Sequence, residues 1–345
     1  MSMTKCSRDS AGVEGSMGAR EHKRWSRAMA MLLGLAILGA AAMPAAAGPT
    51  AGPAPDPEWR PQAADVPDDG RVRVIVFGAH PDDAEIRAGG AGVRWANEGH
   101  HVKFVSLTNG DIGHWGMAGG PLAQRRTAEV EEAAGILGID EVEVLDIHDG
   151  ELMPTLENRK TVVRLIREWM ADIVVVHRPN DYHPDHRNAG LLVRDAAFMV
   201  TVPFFCPDAP YLETNPVFLY GLDRFERPYP FQPDIVVNID PVIDTKLDAL
   251  AVMESQFVEG GAVGDPYIPE TEAEWEEARE DMRERFSQRF SSDADQHRDR
   301  IIEIYGEETG GSIQHIEAFE IAEHGRQPDE DELRRLFPFE DMWEE

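Results

Sequence analysis

The segment VRVIVFGAHPDDAE, residues 72–85, largely determines the architecture of the chain. Its first half is a nearly continuous run of β-branched and aromatic residues, typical of a strand that is buried on both faces of a parallel sheet. Its second half places His80, Asp82 and Asp83 directly after that run. Because two adjacent carboxylates repel each other, this segment needs a partner that offsets their charge.

Similar apolar runs recur along the chain and alternate with helical patterns. The predicted strands are residues 72–79, 101–108, 142–147 and 172–177, and each is followed by a helical pattern. Further strand and helix patterns up to residue 257 complete the same domain. This alternation predicts an α/β class, a Rossmann-like layer fold with a mostly parallel sheet flanked by helices.

The C-terminal third is less regular. Residues 270–300 are rich in Glu and Arg and sparse in apolar residues, which predicts a solvated surface helix. Residues 316–325 predict a last strand or a loop near the site. We assign the domain to residues 71–326 and an acidic C-terminal tail to residues 327–345.

The N-terminus has the pattern of a targeting signal. Basic residues precede a short apolar stretch, residues 28–43, and a run of small residues ends at Ala47. The stretch is shorter than the roughly 20 residues that span a membrane, so we predict a signal peptide at residues 1–47 rather than an anchor. The protein would be exported to the periplasm or the extracellular space. A disordered linker rich in Pro and Gly is predicted at residues 48–70.

Composition limits the partners. The 345 residues carry 64 acidic and 33 basic side chains, a formal charge of -31. This balance excludes nucleic acid and anionic membrane surfaces as expected partners, and no stable membrane insertion is expected after signal cleavage. The sequence does not predict an oligomeric state.

The chemistry is concentrated at two strand ends. HPDD follows the first predicted strand and HPDH, residues 183–186, follows the fourth. Ligands of open parallel sheets bind outside the carboxyl ends of the strands, where these two motifs can meet. A divalent metal would offset the repulsion between the adjacent aspartates. His80 and Asp83 are the predicted ligands from the first motif, and His186 is the predicted ligand from the second.

Three further residues of these motifs have predicted roles. Asp82 would direct its carboxylate toward a water molecule on the metal, and His183 would stabilise charge on the substrate. Asp185 would orient His183 and hold its proton. Three protein ligands leave one open position, which is typical of a catalytic zinc site. Zn²⁺ is therefore the predicted metal, although Fe²⁺, Co²⁺, Ni²⁺ and Mn²⁺ accept the same ligands.

These motifs resemble those of the LmbE-like or PIG-L deacetylases over residues 71–325. The matching motifs, in the order of that family, are AHPDDAE at 79–85, TNGD at 108–111, RTAE at 126–129, DGEL at 149–152 and HPDH at 183–186. The resemblance implies zinc-dependent removal of the N-acetyl group from an N-acetylglucosamine-type amino-sugar conjugate, a small-molecule substrate.

The resemblance also implies residue roles. Zinc would be held by His80, Asp83 and His186, with Asp82 as general base and His183 as the partner of the oxyanion. Arg126 and Asp149 match positions that contact the substrate. One position departs from the family: Arg87 stands where relatives often carry glycine, which changes the expected depth and charge of the pocket rim.

Some alternatives remain open at this stage. Arg126 could pair with Glu129 on its own helix, and Asp149 could simply begin an Asp-Gly turn. The other histidines near strand ends, His114, His148 and His177, lack metal-ligand spacing, so a surface or core role is favoured. The whole protein could also be a metal-dependent carbohydrate-binding protein without turnover, but a pure binder has no use for a base such as Asp82.

Overall fold

The computed structural model of the protein describes residues 58–264 and 266–343. The predicted signal peptide, residues 1–47, and the first part of the predicted linker, residues 48–57, lie outside the described residues. Within the described residues, no helix is long and apolar enough to cross a membrane.

The predicted α/β fold with a mostly parallel sheet is confirmed. Seven strands form one sheet in the order β3-β2-β1-β4-β5-β7-β6, with β1–β5 parallel and the pairings of β7 antiparallel. The strands are β1 (Arg73–Gly78), β2 (His101–Ser106), β3 (Glu141–Val144), β4 (Ile173–Val176), β5 (Val217–Gly221), β6 (Ile235–Asn238) and β7 (Ile316–Gly325).

Nine helices cover the two faces of the described sheet. They are α1 (Asp83–Asn97), α2 (Gly120–Leu137), α3 (Leu156–Trp169), α4 (Pro184–Met199), α5 (Ile243–Ala251), α6 (Glu254–Phe257), α7 (Glu272–Gln296), α8 (Arg298–Ser312) and α9 (Glu330–Leu336). One apolar core contains α1, α2 and α5 with residues of the C-terminal helices, and a second contains α3 and α4.

The topology brings the two sequence motifs together. β1 lies between β2 and β4, and its pairing with β4 sets Val74 opposite Ile173 and Val76 opposite Val175. After β1 the chain continues to β2 on one side of β1, and it later returns to form β4 on the other side. The strand order therefore reverses at β1. Such a reversal opens a crevice at the carboxyl ends of the strands, which is where ligands bind in this class of fold.

The turn from β1 into α1 is tight. The backbone N–H of Asp82 donates to the carbonyl oxygen of His80 at 2.9 Å, and α1 begins at the next residue. A Cβ atom at Gly78 would lie 2.7 Å from Cβ of Asp83, so only glycine allows the strand end to approach the helix this closely.

The helix at residues 272–296 differs from a purely solvated one. Met282, Phe286 and Phe290 of α7 are buried, and they recur every four residues on one face. Because most residues between them are charged, composition alone predicts a solvated helix. The spacing of the three apolar residues is nevertheless that of an amphipathic helix. This helix therefore packs on the core and forms one wall of the site.

The segments at both ends of the assigned domain also make contacts. Ala63, in the predicted linker, pairs with Tyr211 in an isolated parallel bridge. In the segment assigned to an acidic tail, Phe337 and Phe339 are fully buried and pack around Trp95 of α1. Between residues 58 and 343 the domain therefore extends beyond the limits assigned from composition, because aromatic side chains in acidic surroundings still bury apolar area.

Candidate active site

Asp83 is fixed at the start of α1 by the strand that precedes it. Its Oδ2 accepts backbone hydrogen bonds from Ala79 at 3.0 Å and from His80 at 2.9 Å. These donors, together with the first turn of α1, hold the carboxylate at the carboxyl end of β1. The positively charged end of a helix dipole favours a carboxylate at this position.

Three potential ligand atoms form a small triangle at this point. Nδ1 of His80 lies 3.5 Å from Oδ2 of Asp83, Nε2 of His186 lies 3.5 Å from the same oxygen, and the two nitrogens are 3.2 Å apart. Tetrahedral ligands with metal bonds of about 2.0–2.1 Å lie about 3.3 Å from one another. The three ligands predicted from sequence therefore have the spacing that one cation requires.

The outward nitrogens of both histidines face carboxylates. Nε2 of His80 lies 3.0 Å from Oδ1 of Asp149 and 3.3 Å from Oδ2 of Asp185, and Nδ1 of His186 lies 3.0 Å from Oδ1 of Asp181. With a cation bound, such contacts would keep the single proton of each ring on its outward nitrogen and leave a lone pair directed at the triangle. Burial opposes a charge on His80, yet Asp149, Asp185 and Asp83 together raise its pKa to about 12.

The structure gives Asp185 partners other than the one expected from sequence. Its fully buried carboxylate accepts backbone hydrogen bonds from Gly150 at 2.7 Å and Leu152 at 3.2 Å, and it contacts His80. The link to His183 runs through the backbone N–H of Asp185 instead. The side chain points inward because it belongs to the buried face of α4. Asp185 therefore orients a predicted metal ligand and the loop after β3, and its carboxylate does not orient His183.

His183 has a defined tautomer. It precedes α4 as the capping residue, and its Nδ1 accepts the Asp185 backbone N–H at 3.2 Å. Since Nδ1 accepts, the ring proton of a neutral His183 is on Nε2. Burial and the neighbouring positive charges of His80 and His186 lower the pKa of His183. A neutral ring of this tautomer donates a hydrogen bond from Nε2, as the predicted role beside the oxyanion requires.

Asp82 lines the same cavity, which has a volume of about 480 Å³ and also contains His80, Asp83, His183 and His186. Its carboxyl is buried beside a second carboxylate. Burial, followed by the charge of Asp83, raises the pKa of Asp82 to about 6, although the charges of Arg126 and the histidines oppose this shift. A carboxyl with a pKa near neutrality can both accept and return a proton.

Two residues that sequence reasoning did not assign to the site lie next to it. His177 is fully buried, and its Nε2 lies 3.2 Å from Oδ2 of Asp83. Burial lowers the pKa of His177 to about 3, so its ring is neutral. Glu85 is also buried, and burial followed by the charges of Asp82 and Asp83 raises its pKa to about 8. In the sequence, the one sign that His177 lies at the site is its position directly after the fourth predicted strand, at the edge of the sheet where ligands bind.

Several groups of possible metal ligands overlap in this part of the structure. Within the described residues, three sets have donor atoms within 4.8 Å of one another: His80, His183 and His186; Asp83, His177 and His186; and His80, Asp149 and Asp185. All of them share a residue with the triangle. The arrangement is therefore one centre with several polar neighbours.

The two predicted substrate contacts also lie at this cavity. Arg126 is buried, and its guanidinium donates to the carbonyl oxygen of Gly113 at 2.6 Å and to the side chain of Gln256. Glu129 pairs with Arg125, at 2.9 Å, and not with Arg126. The alternative in which Arg126 serves only to pair with Glu129 on the same helix is therefore wrong. Asp149 reaches the cavity and contacts His80 as described above.

Comparison with known proteins identifies the family. The PIG-L family, described as GlcNAc-PI de-N-acetylase, matches residues 75–197. A diacetylchitobiose deacetylase of Thermococcus kodakarensis is 33% identical over 202 residues, which is 57% of this chain and 74% of the relative. A 4-oxalmesaconate hydratase of Pseudomonas putida is 29% identical over 193 residues, which is 53% of this chain and 73% of the relative.

A solved structure supports the same fold. The N,N'-diacetylchitobiose deacetylase of Pyrococcus horikoshii superposes with a TM-score of 0.55 at 24% identity, covering 72% of this chain and 83% of that one. The chain thus has the fold of these proteins, and by its sequence it belongs to the PIG-L family. The resemblance inferred from the motifs is confirmed.

Proposed function

We propose that this protein is an exported, zinc-dependent N-deacetylase that removes the N-acetyl group from an N-acetylglucosamine-type amino-sugar conjugate. The deacetylase among its relatives supports the reaction and the class of substrate. The N-terminal charge and apolar pattern supports export. A ligand set of two imidazoles and one carboxylate with an open position supports zinc.

The residues present suit a divalent cation. His80, Asp83 and His186 supply three donor atoms 3.2–3.5 Å apart, and the outward nitrogen of each ring lies 3.0 Å from a carboxylate oxygen. When bound, such a cation would lower the pKa of water and polarise an amide carbonyl.

The protein's own side chains supply the proton transfers. Asp82 takes a proton from the water that adds to the acetamide carbonyl carbon. It then returns that proton to the nitrogen as the C–N bond breaks, so that acetate and a free amine leave. His183 donates from Nε2 to the carbonyl oxygen, where negative charge develops, a contribution of about 3–4 kcal/mol for one well-placed donor.

The single observation that carries this proposal is the convergence of the ligand triangle with Asp82 and His183 in one cavity. A protein that only binds a sugar uses hydrogen-bond donors but does not need a proton acceptor with a raised pKa beside the metal ligands. A hydratase does need such an acceptor, and one relative is named a hydratase. The test must therefore identify the product as well as the loss of substrate.

The experiment uses the full-length protein, purified and analysed for its metal content. It is incubated with a panel of N-acetylglucosamine conjugates, and both acetate and free amine are quantified. We expect equal amounts of the two products and a loss of both after chelation, with recovery on adding Zn²⁺. Metal-loaded protein that releases no acetate from any conjugate would overturn the proposal, and 4-oxalmesaconate serves as the hydratase control substrate.

A further inference from the structure

One arginine at the active-site cavity forms no ion pair within the described part of the chain. Arg289 is on α7, outside residues 75–197, the range matched by the family model. Its neighbours Phe286 and Phe290 are buried and fix the helix, and its carbonyl oxygen accepts a hydrogen bond from Arg224 at 3.2 Å. Among the described residues, its guanidinium has no hydrogen bond or ion pair. The residue as a whole is exposed, but burial lowers the pKa of the guanidinium, and the charge of Asp293 opposes that shift.

Arg289 stands between two adjoining cavities. It lines the active-site cavity together with His80 and His183. It also lines a second cavity of about 190 Å³, and the two cavities share Ile86, Arg87, Tyr182 and Arg289 as wall residues. A substrate whose acetamido group lies at the ligand triangle can therefore place an attached group beside Arg289.

The acidic side chains of the second cavity are already neutralised. Asp223 pairs with Arg178 at 2.6 Å, Asp293 with Arg224 at 2.7 Å, and Glu317 with Lys246 at 2.6 Å. Asp181, the remaining carboxylate of this wall, contacts both His186 and Arg87. Among the described residues, Arg289 is therefore the guanidinium of this wall that forms no ion pair, in a protein whose formal net charge is -31.

Arg87 adds a second positive group with a fixed position. Its Nη1 donates to the carbonyl oxygen of Leu222 at 2.7 Å, and its Nη2 lies 3.5 Å from Oδ2 of Asp181. This is the residue at which the sequence departs from the family pattern. With a long cationic side chain at the rim in place of glycine, the wall shared by the two cavities carries two guanidinium groups, those of Arg87 and Arg289.

We propose that Arg289, with Arg87 beside it, forms a subsite for an anionic group of the substrate, a carboxylate or a phosphate attached to the amino sugar. This inference rests on the proposed deacetylation and names the class of conjugate that it acts on. A planar guanidinium binds either anion through two hydrogen bonds, which is the geometry that such a subsite uses.

The test compares three glycosides of N-acetylglucosamine of nearly equal size, the carboxymethyl, 2-phosphoethyl and 2-hydroxyethyl glycosides. We expect kcat/KM of the wild-type protein to be about tenfold higher or more for a charged glycoside than for the neutral one, since hydrogen bonds to charged groups are strong. Comparing the two charged glycosides distinguishes carboxylate from phosphate.

Variants of Arg289 test whether this residue causes the preference for charged glycosides. In Arg289→Gln we expect the preference for the charged over the neutral glycoside, measured as the ratio of their kcat/KM values, to fall about tenfold or more, chiefly through a higher KM for the charged glycoside. Arg289→Lys should recover part of the difference, because it keeps the charge. Arg334→Gln removes the same charge from exposed α9 and should change nothing. Equal losses for charged and neutral glycosides in Arg289→Gln would overturn the subsite, as would a wild-type protein without preference.

Calorimetric binding separates this inference from the proposed function. The de-N-acetylated carboxymethyl and 2-hydroxyethyl glycosides are titrated into the wild-type protein and Arg289→Gln. We expect the charged amine to bind more tightly, and this advantage to disappear in the variant. If no glycoside releases acetate but this difference is present, deacetylation fails and the subsite stands. If acetate is released without any charge-dependent difference, the subsite fails and deacetylation stands.

Discussion

Replacing Lys246 by methionine is expected to destabilise the protein strongly. Lys246 of α5 is fully buried, and its Nζ lies 2.6 Å from Oε1 of the buried Glu317 on β7. The same Nζ donates to the carbonyl oxygen of Ile86 at 2.8 Å. The carboxylate accepts from the backbone of Gly90 at 2.8 Å and of Ala91 at 2.7 Å. The ion pair thus joins α5 and β7 to three main-chain groups of α1. This helix begins at Asp83, one corner of the ligand triangle.

The expected loss in the free energy of unfolding follows from the unpaired charge that the substitution leaves behind. Methionine keeps most of the apolar volume but removes the ammonium group, so the carboxylate of Glu317 stays in the interior without a cation. Breaking a buried ion pair in this way costs about 3–5 kcal/mol in the free energy of unfolding. At about 2 °C per kcal/mol for a domain of this size, the Tm should fall by about 6–10 °C.

Two further variants separate the lost charge from lost packing. Lys246→Met combined with Glu317→Gln removes both charges, and we expect it to be within about 2 kcal/mol of the wild type. Lys103→Met is the matched control, because Lys103 pairs with Glu141 and Glu143, whose side chains are 50% and 36% exposed. Water can solvate those carboxylates once the lysine is gone, so the cost should be at most about 1 kcal/mol.

The assay is denaturant-induced unfolding with calorimetric confirmation of the Tm, in the presence and absence of added Zn²⁺. Equal destabilisation in Lys246→Met and Lys103→Met would refute the reasoning. So would a double variant that is less stable than Lys246→Met alone, because that result would assign the effect to packing and not to the unpaired carboxylate.

Other expected outcomes concern the site itself. Asp82→Asn should retain the metal, measured by elemental analysis, and lose at least about 100-fold in kcat because it cannot accept a proton; near-normal acetate release would contradict the assigned role. His186→Ala should lose both metal and turnover, since it removes one corner of the ligand triangle; full metal content would show that His186 is not a ligand. Asp185→Asn should weaken metal affinity by about 10- to 100-fold in a competition with a chelator, because its carboxylate holds His80; unchanged affinity would remove it from the support of the ligands.

Much of the site follows from two short stretches of sequence. The apolar runs of β1 and β4, rich in β-branched residues, favour buried parallel strands, and parallel strands bring their carboxyl ends to one edge of the sheet. The motifs that follow those runs must then lie near each other. His80, Asp83 and His186 could therefore be chosen as a set although more than 100 residues separate the first from the last, and the structure brings their donor atoms to within 3.5 Å.

Only the tertiary structure decided what surrounds that set. The direction of a side chain depends on the phase of its helix and on elements distant in sequence, neither of which is encoded in a local motif. This is why Asp185 contacts His80 instead of supporting His183, and why the fully buried His177 lies against Asp83. Arg289 comes from a charged helix that composition assigns to the surface. Burial of Phe286 and Phe290 turns the helix so that this arginine lines the active-site cavity.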